Sequence, residues 1–524
     1  MNTAEIRQRY QGMATKAAKD EPAETEPQAG KPTGTKRSMT IAIGGVLTLL
    51  GVAAYSFMRQ PTNLPSETTA VVSSESLATA SGSLVPVEAE MTTALQSVAT
   101  KREATQQRME GKTKKQKHQQ VRRLEPLTDS EVDAVLRANE RSWEAVGGAL
   151  RIDTDQVSSN DPLEDYMAWG PLQGDSGRYM VGVFDGHAGY KCAEQLAQRM
   201  QKTVDSALAM VAEGNDAAGK RLEGYEAQLR KAVTRLQRDS GREWDQVPLA
   251  LTAAFASLDN DLVLGALAEY RRLNDPAQMD RLLGPAVAGS CGLVAVVDTK
   301  ANEVVVANAG DSRALLGMRL ANGTWKAVRL SQDHTGENPA ELQRLAREHP
   351  GEVVIRNGRV LGALMPTRAF GDCRYKWPVE AQRELFPQLY ARGHRYARLL
   401  DDYTTPPYVT ARPVVVRHKL SENDKFVVVA SDGLYDQMSD DDIVATVGQW
   451  YNARDPASGL VTHDRNAATH LIRAALQTDR FGMRNPELAN MLLAIPPPTS
   501  RSYRDDISVA VVTLGNNSPV RSAD

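Results

Sequence analysis

A carboxylate, a glycine and a histidine follow one another directly after an apolar segment near the middle of the chain. Met180–Phe184 indicates a strand buried on both faces, and Asp185, Gly186 and His187 come at its end. Asp185 can bridge two cations, Gly186 lets a ligand approach its backbone carbonyl, and His187 can move a proton near neutral pH. Asp-Gly is also a common hairpin turn signal, so this stretch alone leaves both interpretations open.

The same pattern, an acid at one end of a strand-like run, recurs further along the chain. The runs are Glu303–Gly310, Lys425–Ser431 and Ile507–Leu514, and the acids beside them are Asp311, Asp432, Asp505 and Asp506. In a packed assembly of sheets these ends can converge and place several carboxylates in one cleft. Such a group of like charges is unfavourable unless cations neutralise it. Because oxygen ligands without a Cys or His cluster select hard ions, the pattern predicts Mg²⁺ or Mn²⁺.

Composition and cysteine usage exclude several other classes of protein. The 524 residues allow one large domain with appendages, and a hydrophobic share of 41% with a net charge of −3 is typical of a globular protein. This charge balance gives no reason to expect nucleic-acid binding. Cys192, Cys291 and Cys373 are widely spaced, so they predict neither a disulfide framework nor a zinc site. Cys291 lies in GSCG and is interpreted as a packed small residue.

The N-terminal part has three segments of different composition. Residues 1–37 are polar and predict disorder. Ser38–Met58 has no charged residue and, at roughly 20 residues, predicts a single transmembrane helix, with a buried core helix as the alternative. Residues 59–123 predict a linker, and its basic stretch 101–123 is either a solvated helix or tail or a segment that binds anionic lipid.

The globular domain is predicted to occupy residues 124–515, followed by a short C-terminal tail at 516–524. Glu164 and Asp165 form an acidic pair one predicted strand upstream of Asp185. Taken alone, such a pair indicates an exposed turn, and it becomes a candidate site only because it precedes the FDGHAG run at short range.

Six motifs occur in order over about 350 residues: FDGHAG, GSCG, ANAGDSRA, LMPTRAFGD, ASDGLYD and YRDDISV. Together they resemble the metal-dependent protein serine/threonine phosphatases of type 2C. Five segments make the chain most similar to the mitochondrial pyruvate dehydrogenase phosphatase subgroup: NDPLED from Asn160, RAFGDCRYKW at Arg368–Trp377, TPPY at Thr405–Tyr408, HLIRAAL at His470–Leu476 and the final YRDDIS. The resemblance covers roughly Leu124 to Leu514.

The resemblance implies an α+β fold, an α/β/β/α sandwich of two antiparallel sheets with helices packed outside both. It implies hydrolysis of phosphoserine and phosphothreonine by hydroxide that two ions about 4 Å apart generate, with a third ion held loosely. Attack is then in line, without a covalent enzyme intermediate, and His187 protonates the departing oxygen.

The resemblance also assigns metal-binding roles position by position. Asp185 would bridge two ions, and Gly186 would contribute its carbonyl. The remaining implied metal ligands are Asp432 and Asp505 at the first site, Glu164 and Asp165 at the second, partly through water, and Asp311 at the third.

One position departs from the family pattern. Many members have an Arg shortly before the Glu-Asp pair, where it binds the substrate phosphate. Here that neighbourhood is Ser158, Ser159 and Asn160. The subgroup shares this form, so activity is still expected, and Asn160 becomes the candidate for the phosphate-binding residue.

Two rival functions stay open at this point. One is a catalytically inactive, membrane-tethered module that recognises phosphoproteins through the same fold, which loss of the acids would favour. The other is a hydrolase of small phosphate esters. The substrate class that the resemblance implies is a phosphorylated protein of the dehydrogenase-complex type.

A mitochondrial membrane is the favoured location, from the resemblance and the apolar segment together. Acidic residues at 20–26 argue against an ordinary cleavable matrix presequence. Basic residues at 31–37 weakly favour an N-terminus on the inner side.

Overall fold

A computed structural model describes residues 85–145, 148–172, 177–213, 224–240, 246–453 and 463–515. The compact unit that holds the sheets includes the chain from Glu90 onward. The predicted disordered segment, the predicted transmembrane segment Ser38–Met58 and the C-terminal tail lie outside the described residues.

Fourteen strands are present in the described residues. They are β1 Arg141–Glu144, β2 Leu150–Val157, β3 Tyr166–Pro171, β4 Arg178–His187, β5 Gly289–Asp298, β6 Glu303–Ala309, β7 Arg313–Arg319, β8 Trp325–Arg329, β9 Ile355–Arg356, β10 Arg359–Val360, β11 Phe370–Gly371, β12 Val414–Lys419, β13 Asp424–Ala430 and β14 Ile507–Leu514. They form two six-stranded antiparallel sheets, one in the order β1-β2-β14-β13-β7-β8 and the other in the order β12-β6-β5-β4-β3 with β11 paired to β5, and a separate two-stranded sheet of β9 and β10.

Several helices cover the outer faces of the two sheets, and the described residues hold fifteen helices in all. They are α1 Val85–Met109, α2 Lys114–Val121, α3 Asp129–Arg137, α4 Lys191–Glu213, α5 Gly224–Ser240, α6 Gln246–Asn260, α7 Ala266–Leu273, α8 Met279–Val287, α9 Pro339–Glu348, α10 Cys373–Lys376, α11 Val379–Ala391, α12 Asp432–Tyr435, α13 Asp440–Ala453, α14 Ala467–Leu476 and α15 Pro486–Ala494. Short π and 3₁₀ turns complete them at Asp261–Gly265, Pro276–Gln278 and Thr499–Ser502.

Alternate residues of the central strands face two different cores. In β5, Leu293 and Val297 pack in the core between the sheets. Val294 and Val296 point the other way, into the core beneath α4 and α6. Since successive side chains of a strand point to opposite faces, strands in this position must be apolar throughout. The structure thus confirms the predicted antiparallel sheets flanked by helices.

Part of the segment predicted as a linker packs on the domain. Val98 and Met109 of α1 are buried, and Val98 belongs to the core beneath β13 and β14. The Arg102 guanidinium donates to the Leu493 carbonyl oxygen at 2.7 Å, and Lys101 pairs with Glu131 at 2.7 Å. These contacts are largely polar, which explains why the apolar pattern gives no sign of them.

One helical stretch in the described residues, Gln246–Leu273, has the length and hydropathy of a membrane span. Sixty-seven per cent of its most apolar window is buried inside the protein, and Phe255 and Leu258 have no exposed surface. It is therefore a core helix of the layer outside β4–β6.

Candidate metal centre

Three acids from different strand ends meet at one edge of the sandwich. Asp185 lies two residues before the end of β4, Asp311 follows β6 and Asp432 follows β13. Each contributes one carboxylate oxygen, and these three atoms all lie within 4.8 Å of one another. Since β4 and β6 belong to one sheet and β13 to the other, this cluster joins the two sheets. We call these three residues the acid cluster.

Asp185 and Gly186 do not form a hairpin turn. They pair with Cys291 and Ser290 of β5 as regular strand residues. A Cβ on Gly186 would lie 2.2 Å from the Glu164 carbonyl oxygen. Only glycine allows this approach, which brings the backbone of the Glu164–Asp165 loop against the end of β4.

The glycine of a second Asp-Gly pair, Asp432-Gly433, is also required by a close backbone approach. A Cβ on Gly433 would lie 2.0 Å from the Asp506 carbonyl oxygen. Gly433 follows Asp432, so the missing side chain lets the start of β14 and its acids Asp505 and Asp506 pack beside the acid cluster.

The electrostatics of this edge favour a bound cation. Burial raises the pKa of Asp185 well above its usual value, and the charge of Asp432 adds to the effect. Burial likewise raises the pKa of Asp432 and of Asp311, and it raises that of Asp505 to about 6. Ionising these carboxylates together is therefore costly without a compensating positive charge. A divalent cation would supply that charge.

The acidic pair Glu164–Asp165 completes this edge. Burial raises the pKa of both carboxyls, and Asp165 also lies in the field of Asp506 and Asp505. The Asp165 Oδ2 atom is buried and has no hydrogen-bond partner among the described residues. An unsatisfied buried carboxylate oxygen beside other acids fits a donor set for Mg²⁺ or Mn²⁺.

Asp506 holds the loop that carries this pair. Its carboxylate accepts hydrogen bonds from the backbone N–H groups of Ser159, Asn160 and Glu164. Burial alone would raise the pKa of Asp506, but these bonds lower it below its usual value. The Asn160 side-chain amide also donates to Asp506, at 3.0 Å. The side-chain amide predicted to bind phosphate is thus already bonded to a carboxylate that lies directly before β14.

His187 has a carboxylate partner that sequence spacing does not reveal. Its Nε2 lies 2.8 Å from Oδ2 of Asp372, which comes 185 residues later. Burial would lower the pKa of His187, but the charge of Asp372 and its hydrogen bond outweigh burial and raise it. A protonated imidazole beside the acid cluster is suited to act as a general acid.

A buried ion network fixes the loop before Asp372. Glu341 of α9 is 2% exposed and accepts hydrogen bonds from Arg344 at 2.8 Å, Arg368 at 2.6 Å and the Thr367 hydroxyl at 2.7 Å. Burial alone would raise the pKa of Glu341, but these partners lower it to about 2. The network therefore stabilises the folded state only while Glu341 is ionised.

Glu341→Gln is expected to lower the free energy of unfolding at pH 7 by about 3 kcal/mol, because two arginines lose a buried countercharge. Since the folded-state pKa is lowered, the parent loses this stabilisation as the pH falls from about 4.5 toward about 2, and the gap to the variant should narrow there. Urea denaturation at pH 7 and pH 4 measures both effects. The control is Glu348→Gln, which removes a half-exposed partner of Arg344 and should cost about 0.5 kcal/mol or less. Equal losses in the two variants would contradict the role of burial.

Comparisons with known proteins identify the family of this chain. The family model for protein phosphatase 2C matches residues 155–480. The chain belongs to the protein phosphatase 2C family. It is therefore a metal-dependent protein serine/threonine phosphatase. The matched region contains every residue of the acid cluster, whereas Asp505 and Asp506 follow it in sequence.

Individual proteins are similar to this phosphatase over a longer part of the chain than the family model covers. It is 33% identical over 457 residues to mitochondrial pyruvate dehydrogenase (acetyl-transferring) phosphatase 1 of Homo sapiens, covering 75% of this chain and 84% of that protein. It is 32% identical over 458 residues to the protein of the same name in Saccharomyces cerevisiae, covering 77% and 76%. A protein phosphatase 2C homologue of Schizosaccharomyces pombe is 34% identical over 401 residues, covering 70% and 80%.

Proposed function

We propose that the phosphatase binds two Mg²⁺ or Mn²⁺ ions at the acid cluster and there hydrolyses phosphoserine and phosphothreonine in proteins. The observation that carries this proposal is the meeting of three carboxylates within 4.8 Å, from both sheets, at one edge. The residues that would hold the ions are Asp185, the Gly186 carbonyl, Asp432, Asp505, Glu164 and Asp165, with Asp311 at a third, looser ion. Bound ions supply a nucleophile at neutral pH and neutralise charge on the phosphoryl oxygens.

The chain's own groups perform the remaining steps. Asp506 keeps the Glu164–Asp165 loop against β4, so that the acids are in place before substrate arrives. The Asp372 carboxylate raises the pKa of His187 and so favours the protonated imidazole, which gives its proton to the departing seryl or threonyl oxygen. The acids that this chemistry needs are all present at the same edge, and nothing in the described residues favours the catalytically inactive alternative.

Activity on a phosphothreonine peptide is expected only in the presence of Mn²⁺ or Mg²⁺, because the donor set is made of oxygen atoms alone. The measurement is phosphate release after exhaustive chelation, followed by titration with each metal. Zn²⁺ and Ca²⁺ serve as comparison ions. Full turnover in the chelated protein would overturn the proposal.

The location and substrate that we propose follow from the relatives. Because the human and yeast relatives are mitochondrial pyruvate dehydrogenase phosphatases by name, we place this chain in mitochondria, acting on a phosphorylated protein of a dehydrogenase complex. We further propose that Ser38–Met58 anchors it in a membrane, since the segment is apolar, uncharged and about as long as a bilayer is thick.

The full-length chain should stay in the membrane pellet after carbonate extraction, and deletion of residues 38–58 should release it. Deletion of residues 62–82, a segment of equal length without the apolar character, is the control and should leave the chain in the pellet. Both shortened chains should keep phosphatase activity, because the packed region begins at about Glu90. Recovery of the full-length chain in the supernatant would refute the anchor.

A further inference from the structure

One arginine lies at the rim of the metal centre without a role in the steps above. Arg501 stands on the 3₁₀ turn Thr499–Ser502, and its guanidinium lies 2.8 Å from Oδ2 of Asp505. Its side chain is 53% exposed, whereas that of Asp505 is 19% exposed. Arg501 therefore reaches from solvent to the acids instead of being enclosed among them.

The turn that carries Arg501 is fixed to the loop in which the family's usual arginine is missing. The Ser500 hydroxyl, fully buried, donates to the Ser159 carbonyl oxygen at 2.7 Å. Arg504, just after the turn, donates to the Ser158 carbonyl oxygen. Residues 158–160 include no positively charged side chain. Their backbone carbonyl groups, however, anchor Ser500 and Arg504, which lie before and after Arg501 in the sequence.

The electrostatic environment of Arg501 also favours a role at the metal centre. The negative charges of Asp505, Asp432 and Asp185 all attract the Arg501 guanidinium, which therefore lies in the electrostatic field of the metal centre. A phosphomonoester that binds at this centre carries negative charge, which a cationic side chain must neutralise. A guanidinium can donate two parallel hydrogen bonds to phosphate oxygens, a geometry that neither an amide nor an ammonium provides.

We propose that Arg501 binds the phosphoryl group of the substrate, in place of the arginine absent from residues 158–160. The inference rests on the proposed function, since it requires a phosphoester at the acid cluster. In the free protein, Asp505 holds the guanidinium at the rim. A half-exposed side chain can turn from this carboxylate to an incoming phosphoryl oxygen at small cost, because Arg501 is not packed in a core.

The test compares Arg501→Ala and Arg501→Lys with the parent at saturating Mn²⁺. The alanine variant should raise both the KM for a phosphothreonine peptide and the inhibition constant of inorganic phosphate by roughly 10- to 100-fold. Both constants of the lysine variant should lie between those of the parent and the alanine variant, because lysine keeps the positive charge but loses the paired donors. The Mn²⁺ concentration for half-activation should change by less than about twofold, since Arg501 would not be a metal ligand.

Arg480→Ala is the matched control. Arg480 is exposed and its guanidinium stacks over the Phe481 ring at 4.6 Å, so its loss should leave every constant unchanged. Calorimetry of inorganic phosphate with Mn²⁺-loaded protein gives a readout independent of turnover, and melting temperature confirms that each variant folds. The lysine variant retains a cation at the rim and decides the question if the alanine variant does not fold.

The possible results distinguish a failure of the Arg501 proposal from a failure of the proposed phosphatase function. If the parent does not turn over peptide with any metal, the proposed function fails. If the parent is active but both variants bind phosphate as the parent does, Arg501 does not bind the phosphoryl group. A shift in Mn²⁺ half-activation with unchanged phosphate inhibition would likewise overturn the inference, because Arg501 would then only position Asp505.

Discussion

Replacing Asp185 by asparagine is expected to abolish turnover of every phosphorylated substrate. The side chain keeps its size and its place at the end of β4, but the negative charge next to Asp311 and Asp432 is lost. Ions at such a site contribute several kcal/mol of transition-state stabilisation, so losing them lowers the rate by about 10³-fold or more. Phosphopeptide and p-nitrophenyl phosphate should be affected alike, because the missing ions serve both.

Calorimetric titration with Mn²⁺ is the direct measurement for Asp185→Asn, alongside turnover of both substrates. Asp298→Asn is the matched control, since Asp298 is a buried strand-end carboxylate at the opposite end of the same β4–β5 ladder. It pairs there with Arg178 at 2.8 Å, so its loss affects stability and not metal binding. Parent-like Mn²⁺ affinity in Asp185→Asn would show that the acid cluster is not the metal centre.

The sequence predicts the sheets well because strand signals are local. The runs ending near Gly310, Ser431 and Leu514 correspond to β6, β13 and β14, with bounds that differ by a residue or two. Each acid beside a run also follows from the local sequence. The layer of helices then follows from burying strands that are apolar on both faces, whereas the antiparallel order is expected only from the family resemblance.

Side-chain partners that depend on the path of the chain could not be predicted. Asp372 reaches His187 for two reasons. The strand before it, β11, pairs with β5, and Asp372 itself has a φ of +53°, which turns the chain at that point. Asp506 looks like one more acid of the YRDD motif, yet it accepts backbone hydrogen bonds from the loop before Glu164. No spacing in one sequence encodes such contacts, since they join segments about 185 and 340 residues apart.

The N-terminal helix α1 escaped prediction for another physical reason. It presents few apolar residues, and its polar contacts with the domain include the Lys101–Glu131 ion pair and a guanidinium–carbonyl hydrogen bond from Arg102 to Leu493. Polar, Ala- and Thr-rich composition is typical of linkers and of solvated helices alike. Only the tertiary position of Val98 and Met109, both buried, distinguishes a docked helix from a linker.

His187→Gln is expected to lower the turnover of a phosphopeptide by roughly 10²- to 10⁴-fold, the usual value of general acid catalysis. The loss on p-nitrophenyl phosphate should be much smaller. A seryl or threonyl oxygen is a poor leaving group and needs the proton, whereas nitrophenolate leaves readily without one. The glutamine amide can still donate to Asp372, so the shape of the site is kept while the transferable proton is lost.

The two substrates should be compared side by side at saturating Mn²⁺, with Mn²⁺ affinity measured by calorimetry. Asp372→Asn is the informative companion, because it keeps the imidazole and removes the carboxylate charge that raises its pKa. It should show the same substrate pattern with a smaller loss, since part of His187 stays protonated. If the His187→Gln losses on the two substrates are equal, or if Mn²⁺ no longer binds, His187 orients the metal ligands and is not the acid.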